Sequence, residues 1–100
     1  KMSDYGLPKY KTATVITATP ALIGAAGQHR LIKLALYCAA NGTAEFKDAA
    51  TDTGTVLLKV AGLANTTVPI DLCEVGGLMF NTGIWCNVTG TGNILYAWYD

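Results

Sequence analysis

The stretch RLIKLALYCA, Arg30–Ala39, decides the fold. Leu, Ala and Lys favour a helix. The same residues also read with a period of two, with Ile32, Leu34, Leu36 and Cys38 on one face and Leu31, Lys33, Ala35 and Tyr37 on the other. The flanks choose between the two readings. The segment closes on Asn41-Gly42-Thr43, a turn that favours positive φ, and strand-like runs lie on both sides of it. We read it as the central strand of an all-β domain.

Upstream, KTATVITA sets Thr12, Thr14 and Ile16 against Ala13, Val15 and Thr17 as a first strand. Pro20 breaks it, and the Gly-rich ALIGAAGQH that follows reads as a bent or irregular strand. Downstream, Ala44, Phe46 and Asp48 alternate with Glu45 and Lys47, and TDTG turns the chain. TVLLKVAG then predicts Val56, Leu58 and Val60 inward, with Leu57 and Lys59 outward. In TTVPIDLC, Val68, Ile70 and Leu72 share a face, and Pro69, lacking an amide donor, places the strand at an edge or a bulge. LMFN follows, and then IWCNVT, which sets Ile84, Cys86 and Val88 against Trp85, Asn87 and Thr89. Short strands with turns at roughly 8–12 residue intervals describe a compact antiparallel β-sandwich, jelly-roll or immunoglobulin-like, of about seven or eight strands. Its expected core is Ile32, Leu34, Leu36, Val56, Leu58, Val68, Ile70, Ile84, Val88 and one face of the last strand. Residues 1–11, polar and carrying Gly6 and Pro8, read as an extended N-terminal arm, and residues 12–100 as a single domain.

The composition limits what such a domain can do. Apolar residues make up 51% and charged residues 14%, against about 25% charged in an average soluble domain. A small domain has much surface for its volume, so the deficit implies that some of that surface is covered by something else. Formal net charge is zero, which offers no field for nucleic acid. No stretch approaches the roughly 20 apolar residues that cross a bilayer, so we expect neither a nucleic-acid nor a membrane partner. Cys38, Cys73 and Cys86 are odd in number and widely spaced, and read as reduced, buried thiols rather than a disulfide framework or a zinc site. His29 is the only histidine and Ser3 the only serine, which leaves no credible catalytic set. DAATDTG, Asp48–Gly54, lacks the alternating oxygen ligands and closing Glu of a calcium loop and reads as a turn. We therefore expect no enzyme, no metal and no cofactor.

ILYAWY, Ile94–Tyr99, is apolar on both faces: Ile94, Tyr96 and Trp98 on one, Leu95, Ala97 and Tyr99 on the other. Only one of them can meet the opposite sheet of a sandwich. With Leu95 and Tyr99 taken as the outer set, they join Leu57 and Trp85 in an expected subunit interface, to which the arm adds Tyr5, Leu7 and Tyr10. The competing expectation is that a loop or the arm of the same chain folds over these residues.

NTGIWCNVTGTGNILYAWY, Asn81–Tyr99, resembles the C-terminal part of small β-sandwich virion proteins of tailed bacteriophages. The shared elements are a Gly-aliphatic-aromatic strand (Gly83–Thr89), a Thr-Gly-Thr-Gly hairpin (Thr89–Gly92) and a closing aromatic strand (Ile94–Tyr99). LALYCAANGTAEFKDAATDTGTVLLKV, Leu34–Val60, is similar to their central region, and departs from it at Ala49, where a glycine is common. The resemblance implies a head decoration or cement protein without catalysis, made in the bacterial host cytoplasm and placed on the capsid surface. It also implies two partners, the major capsid protein and copies of the chain itself, often as a trimer. Some relatives belong instead to head fibres or tail appendages. That leaves a carbohydrate- or receptor-binding module, built on outward aromatics such as Trp85 with Asn87, as the alternative.

Overall fold

The computed structural model describes residues 10–100, and every segment of clear alternation in it is a strand. In chain order these are β1 (Lys11–Ile16), β2 (Ala21–Ile23), β3 (His29–Cys38), β4 (Gly42–Asp48), β5 (Thr55–Gly62), β6 (Thr66–Asp71), β7 (Leu78–Phe80), β8 (Ile84–Val88) and β9 (Ile94–Tyr99). One turn of 3-10 helix, Cys73–Val75, joins β6 to β7, and no α-helix occurs among the described residues. Residues 1–9, including the expected interface residues Tyr5 and Leu7, lie outside the described residues.

Two sheets form. The first runs β1-β9-β3-β6, with β7 pairing the start of β3, and the second runs β2-β8-β4-β5. The antiparallel pairs β4/β5, β3/β6, β2/β8 and β1/β9 are nested one inside the next and alternate between the sheets. The chain is thus one long hairpin with its tip at the β4–β5 turn, rolled so that successive pairs fall into opposite sheets. That winding is a jelly roll, which decides between the two sandwich types the sequence allowed.

Between the sheets lie Leu34 and Leu36 of β3, Phe46 of β4, Phe80 of β7, Ile84 and Val88 of β8, and Leu95 of β9, all buried. Leu58, Val68 and Ile70 pack against this core only partly, because β5 and β6 are edge strands. Pro69 therefore sits where its missing donor costs no ladder bond.

Three expectations about facing are corrected, two of them by bulges. In β3 the pairing with β9 shifts between Leu31 and Lys33. Ile32 is the extra residue, and both Leu31 and Ile32 are buried, although Leu31 was expected outside. In β5 the pairing with β4 shifts between Leu58 and Val56. Val56 swings out to 43% exposure and leaves the expected core, while the bulged Leu57 is exposed as expected.

The third correction concerns β9. Leu95, Ala97 and Tyr99 are the buried face, and Tyr96 is the exposed one. Register explains it: Leu95 pairs with Val15 and Leu36, and Ala97 with Ala13 and Leu34. Both partners on β3 already point inward, so β9 must follow them. Tyr99 ends in the core beside Gly24, whose φ of +74° and missing Cβ leave room for the ring, since a Cβ there would lie 2.7 Å from it.

Asn93 is the one buried polar residue among those described, and it fixes the turn into β9. Its Oδ1 accepts the Ala40 amide at 3.0 Å, and its Nδ2 donates to the carbonyls of Ala40 and Thr89, each at 2.9 Å. Gly42 must remain small beside it, because a Cβ there would sit 2.4 Å from that Nδ2.

Candidate docking face

The first sheet aligns its outward side chains into a grid of three rows. Thr12, Trp98, Lys33 and Asp71 form one row across β1, β9, β3 and β6. Thr14, Tyr96, Ala35 and Pro69 form the next, and Ile16, Ile94, Tyr37 and Thr67 the third. Ile16, Tyr37 and Tyr96 are 45%, 43% and 40% exposed, high values for residues of their size in a sheet of regular pairing.

Charge is confined to the first row, where the Lys33 ammonium lies 4.7 Å from the centroid of the Trp98 ring. Asp71 is turned into its own chain and accepts the Cys73 amide at 2.9 Å. Beyond the third row, an open cleft of about 400 Å³ is lined by Ile16, Thr17, Ala18, Thr91, Gly92, Asn93 and Ile94. The grid and this cleft form a neutral, aromatic, nearly uncharged surface.

The second sheet presents a different outer side. Lys47 reaches Asp52 at 2.9 Å and Glu45 at 3.9 Å, and Lys59 reaches Glu45 at 3.9 Å. Asn87 donates to Asp52 at 2.7 Å. Hydrogen bonds from Asn87 and then Lys47 hold the Asp52 carboxyl below its ordinary pKa. Asp52 belongs to the loop after β4, and Trp85 beside it is half-buried, with its indole Nε1–H shut away from solvent and close enough to the Asp52 carboxylate to help hold its pKa down. Trp85 is therefore on the outer side of β8, as its alternation said, half-buried and with its Nε1–H closed off within its own chain.

The other expected contact residues scatter. Leu95 and Tyr99 are in the core, Leu57 is exposed on the bulge of β5, and Tyr10 is half-buried with its hydroxyl 3.9 Å from the Cys73 sulfur. The structure does not bring them together, and the grid holds none of them. The signal that could have found it lies in β3: Lys33 and Tyr37 carry polar tips and must face out, and whatever β9 aligns with them is outer as well.

Among the described residues, no group of three or more His, Cys, Asp or Glu is placed to hold a metal ion. No helix of the described residues is long and apolar enough to cross a membrane. Cys38 and Cys86 are buried, and burial pushes the Cys86 thiol up to about 12. Cys73 is exposed, against the expectation of three buried thiols. His29 gives its Nδ1 to a 3.1 Å hydrogen bond with the Asp100 carbonyl and meets the Tyr99 ring edge-on at 5.8 Å. Arg30 forks onto the Asp100 carboxylate through Nε and a terminal nitrogen. No family model, no curated protein and no solved structure matches this chain.

Proposed function

We propose that this chain is a structural protein of a bacteriophage virion, docking on the head lattice through the outer side of the β1-β9-β3-β6 sheet and stabilising it without catalysis. The observation that carries the reading is the neutral aromatic grid around Tyr37 and Tyr96, left open on a chain that carries few charges. Strands about 4.8 Å apart with a rise of about 3.4 Å per residue give this face a plan area of about 400 Å². That is half of the roughly 800 Å² per partner in a stable pairwise interface. A face of this size binds weakly once and usefully when repeated, as on a symmetric shell whose many equivalent sites act together. A protein that binds the assembled lattice and not free subunits stabilises the lattice by mass action.

The resemblance to small phage β-sandwich proteins supports the same reading, as does the jelly-roll winding, which recurs in viral capsid and lectin domains. Fold alone does not choose between those two. The tryptophans favour the lattice reading over a sugar site. The Trp85 indole Nε1–H is closed off within its own chain and the Lys33 ammonium lies 4.7 Å from the Trp98 ring centroid, which makes each ring a poorer platform for a sugar.

The test is cosedimentation with phage heads that lack the protein, followed by heating. Bound protein should raise the temperature at which the heads open, and Tyr37→Glu/Tyr96→Glu should abolish binding while the chain stays folded. Heads that neither bind nor gain heat resistance would refute the proposal, and glycan-array binding in their place would establish the carbohydrate reading.

A further inference from the structure

Sheet edges expose unpaired backbone, and proteins ordinarily blunt them. Three of the four edges here are blunted. β6 carries Pro69, β5 carries the Leu57 bulge and Lys59, and β2 is three residues long. β1 differs: six residues paired with β9 in unbroken register, without proline or bulge, and with its single charge at its first position.

The direction of its backbone groups follows from the far side of β9. Arg30 and Asp100 exchange both main-chain hydrogen bonds, at 3.2 and 3.0 Å, so Asp100 turns its amide and carbonyl toward β3. Strand alternation turns Trp98 and Tyr96 the same way, and Tyr99, Ala97 and Leu95 toward β1. Their partners Lys11, Ala13 and Val15 complete those bonds. Thr12 and Thr14 therefore aim both amide and carbonyl outward, where among the described residues nothing pairs with them. The Ile16 carbonyl next along is already taken by the Thr19 amide at 3.1 Å.

We infer that β1 is the pairing edge for a second copy of this chain, joined antiparallel about a two-fold axis at Ala13. Thr12 then bonds the partner's Thr14, and Thr14 the partner's Thr12. Threonines facing each other across strands are a favourable pair. Lys11 faces the partner's Val15, so no like charges meet. Small Ala13 sits on the axis, and the two-fold makes one patch serve both subunits. The pairing also joins the two first sheets edge to edge and sets their aromatic grids side by side. Two faces of about 400 Å² become one of about 800 Å², the size a stable contact needs. In this last respect the inference builds on the proposed docking face. The pairing itself is read in solution without phage heads, so its failure and that of the virion proposal are distinguishable.

The experiment measures the mass of the full chain by light scattering over a concentration series. A dimer is expected. Thr14→Pro removes an outward amide that makes no bond within the chain and should weaken the dimer by about thirtyfold, through two symmetric hydrogen bonds, with the melting temperature nearly unchanged. Should that variant fail to fold, Thr12→Lys/Thr14→Lys, which keeps every intrachain bond and crowds four ammonium groups at the axis, takes its place. In a Cys73→Ser background, Ala13→Cys should cross-link to its partner on oxidation, since opposed residues in such a pair lie about 4.5 Å apart, within disulfide reach. A monomer or a trimer throughout the series, a folded Thr14→Pro chain that dimerises as before, or an Ala13→Cys chain that does not cross-link would each overturn the pairing. A monomer whose Thr12 and Thr14 amides resist hydrogen exchange would assign the edge to a segment of the same chain.

Discussion

The two outer sides of this jelly roll solve the same problem differently. On the second sheet Lys47, Asp52, Glu45, Lys59 and Asn87 link into a polar mesh, and the exposed apolar residues Val56 and Leu57 sit at its β5 edge. The outer side of the first sheet leaves Ile16, Tyr37 and Tyr96 open and brings Lys33 down onto the Trp98 ring. The charges of the second sheet's outer side pair with one another, whereas on the grid of the first only Lys33 and Asp71 are charged. The placement of charge is therefore more informative than its total.

The sharpest way to break this comparison is along β9, where neighbouring residues belong to opposite sides of the sheet. Leu95→Ala opens a cavity in the core and should cost about 2–5 kcal/mol in denaturant unfolding. Tyr96→Ala should cost under about 1 kcal/mol in the same assay, because its ring packs on little. Equal losses would mean that the two sides are not distinct.

Asn93→Ala tests the hairpin that sets this register. It leaves an amide and two carbonyls without their partner, for an expected loss of about 2–3 kcal/mol. A loss no larger than that of a surface substitution would remove Asn93 from the account.

Acid should act mainly on the charged side and on the chain's last strand. Asp52 is held below its ordinary pKa by Asn87 and Lys47, and Asp100 by the Arg30 fork. A carboxylate with a depressed folded pKa contributes stability above its unfolded pKa of about 3.9 and loses it as pH falls through the folded value. The melting temperature should therefore hold steady above about pH 5 and drop by a few degrees below about pH 4. Asp52→Asn and Asp100→Asn should each flatten part of that drop. A drop unchanged in both variants would place the acid sensitivity elsewhere.

The smallest effect is chemical. Iodoacetamide at neutral pH should modify Cys73 alone in the native chain and all three thiols after unfolding, because Cys38 is fully buried and burial pushes Cys86 up to about 12. Native labelling of Cys86 would show that the core between β8 and its neighbours opens readily.

Much of this fold was legible in the sequence where alternation was clean. Phe46 and Ala44 against Glu45 and Lys47, or Ile84, Cys86 and Val88 against Asn87, carry their facing in their polarity. ILYAWY carries none: both of its faces are apolar, so only pairing with β3 fixes its register, and a one-residue slip inverts it. The bulges at Ile32 and Leu57 add a residue without a distinctive local motif, which is why Leu31 and Val56 changed sides. The hydrogen bond from Asn87 to Asp52, beside Trp85, joins positions 35 apart along the chain and has no local signature. The outer grid of the first sheet was not legible as a place, because its residues come from four strands.

Hydroxyl-radical footprinting of the chain, free and in phage particles that carry it, tests the central claim most directly. Tyr37, Tyr96 and Ile16 should react in the free chain and be protected in the particle, while Lys59 and Val56 on the second sheet react equally in both. Tyrosines as reactive in the particle as in solution, or protection falling on the second sheet instead, would contradict the account.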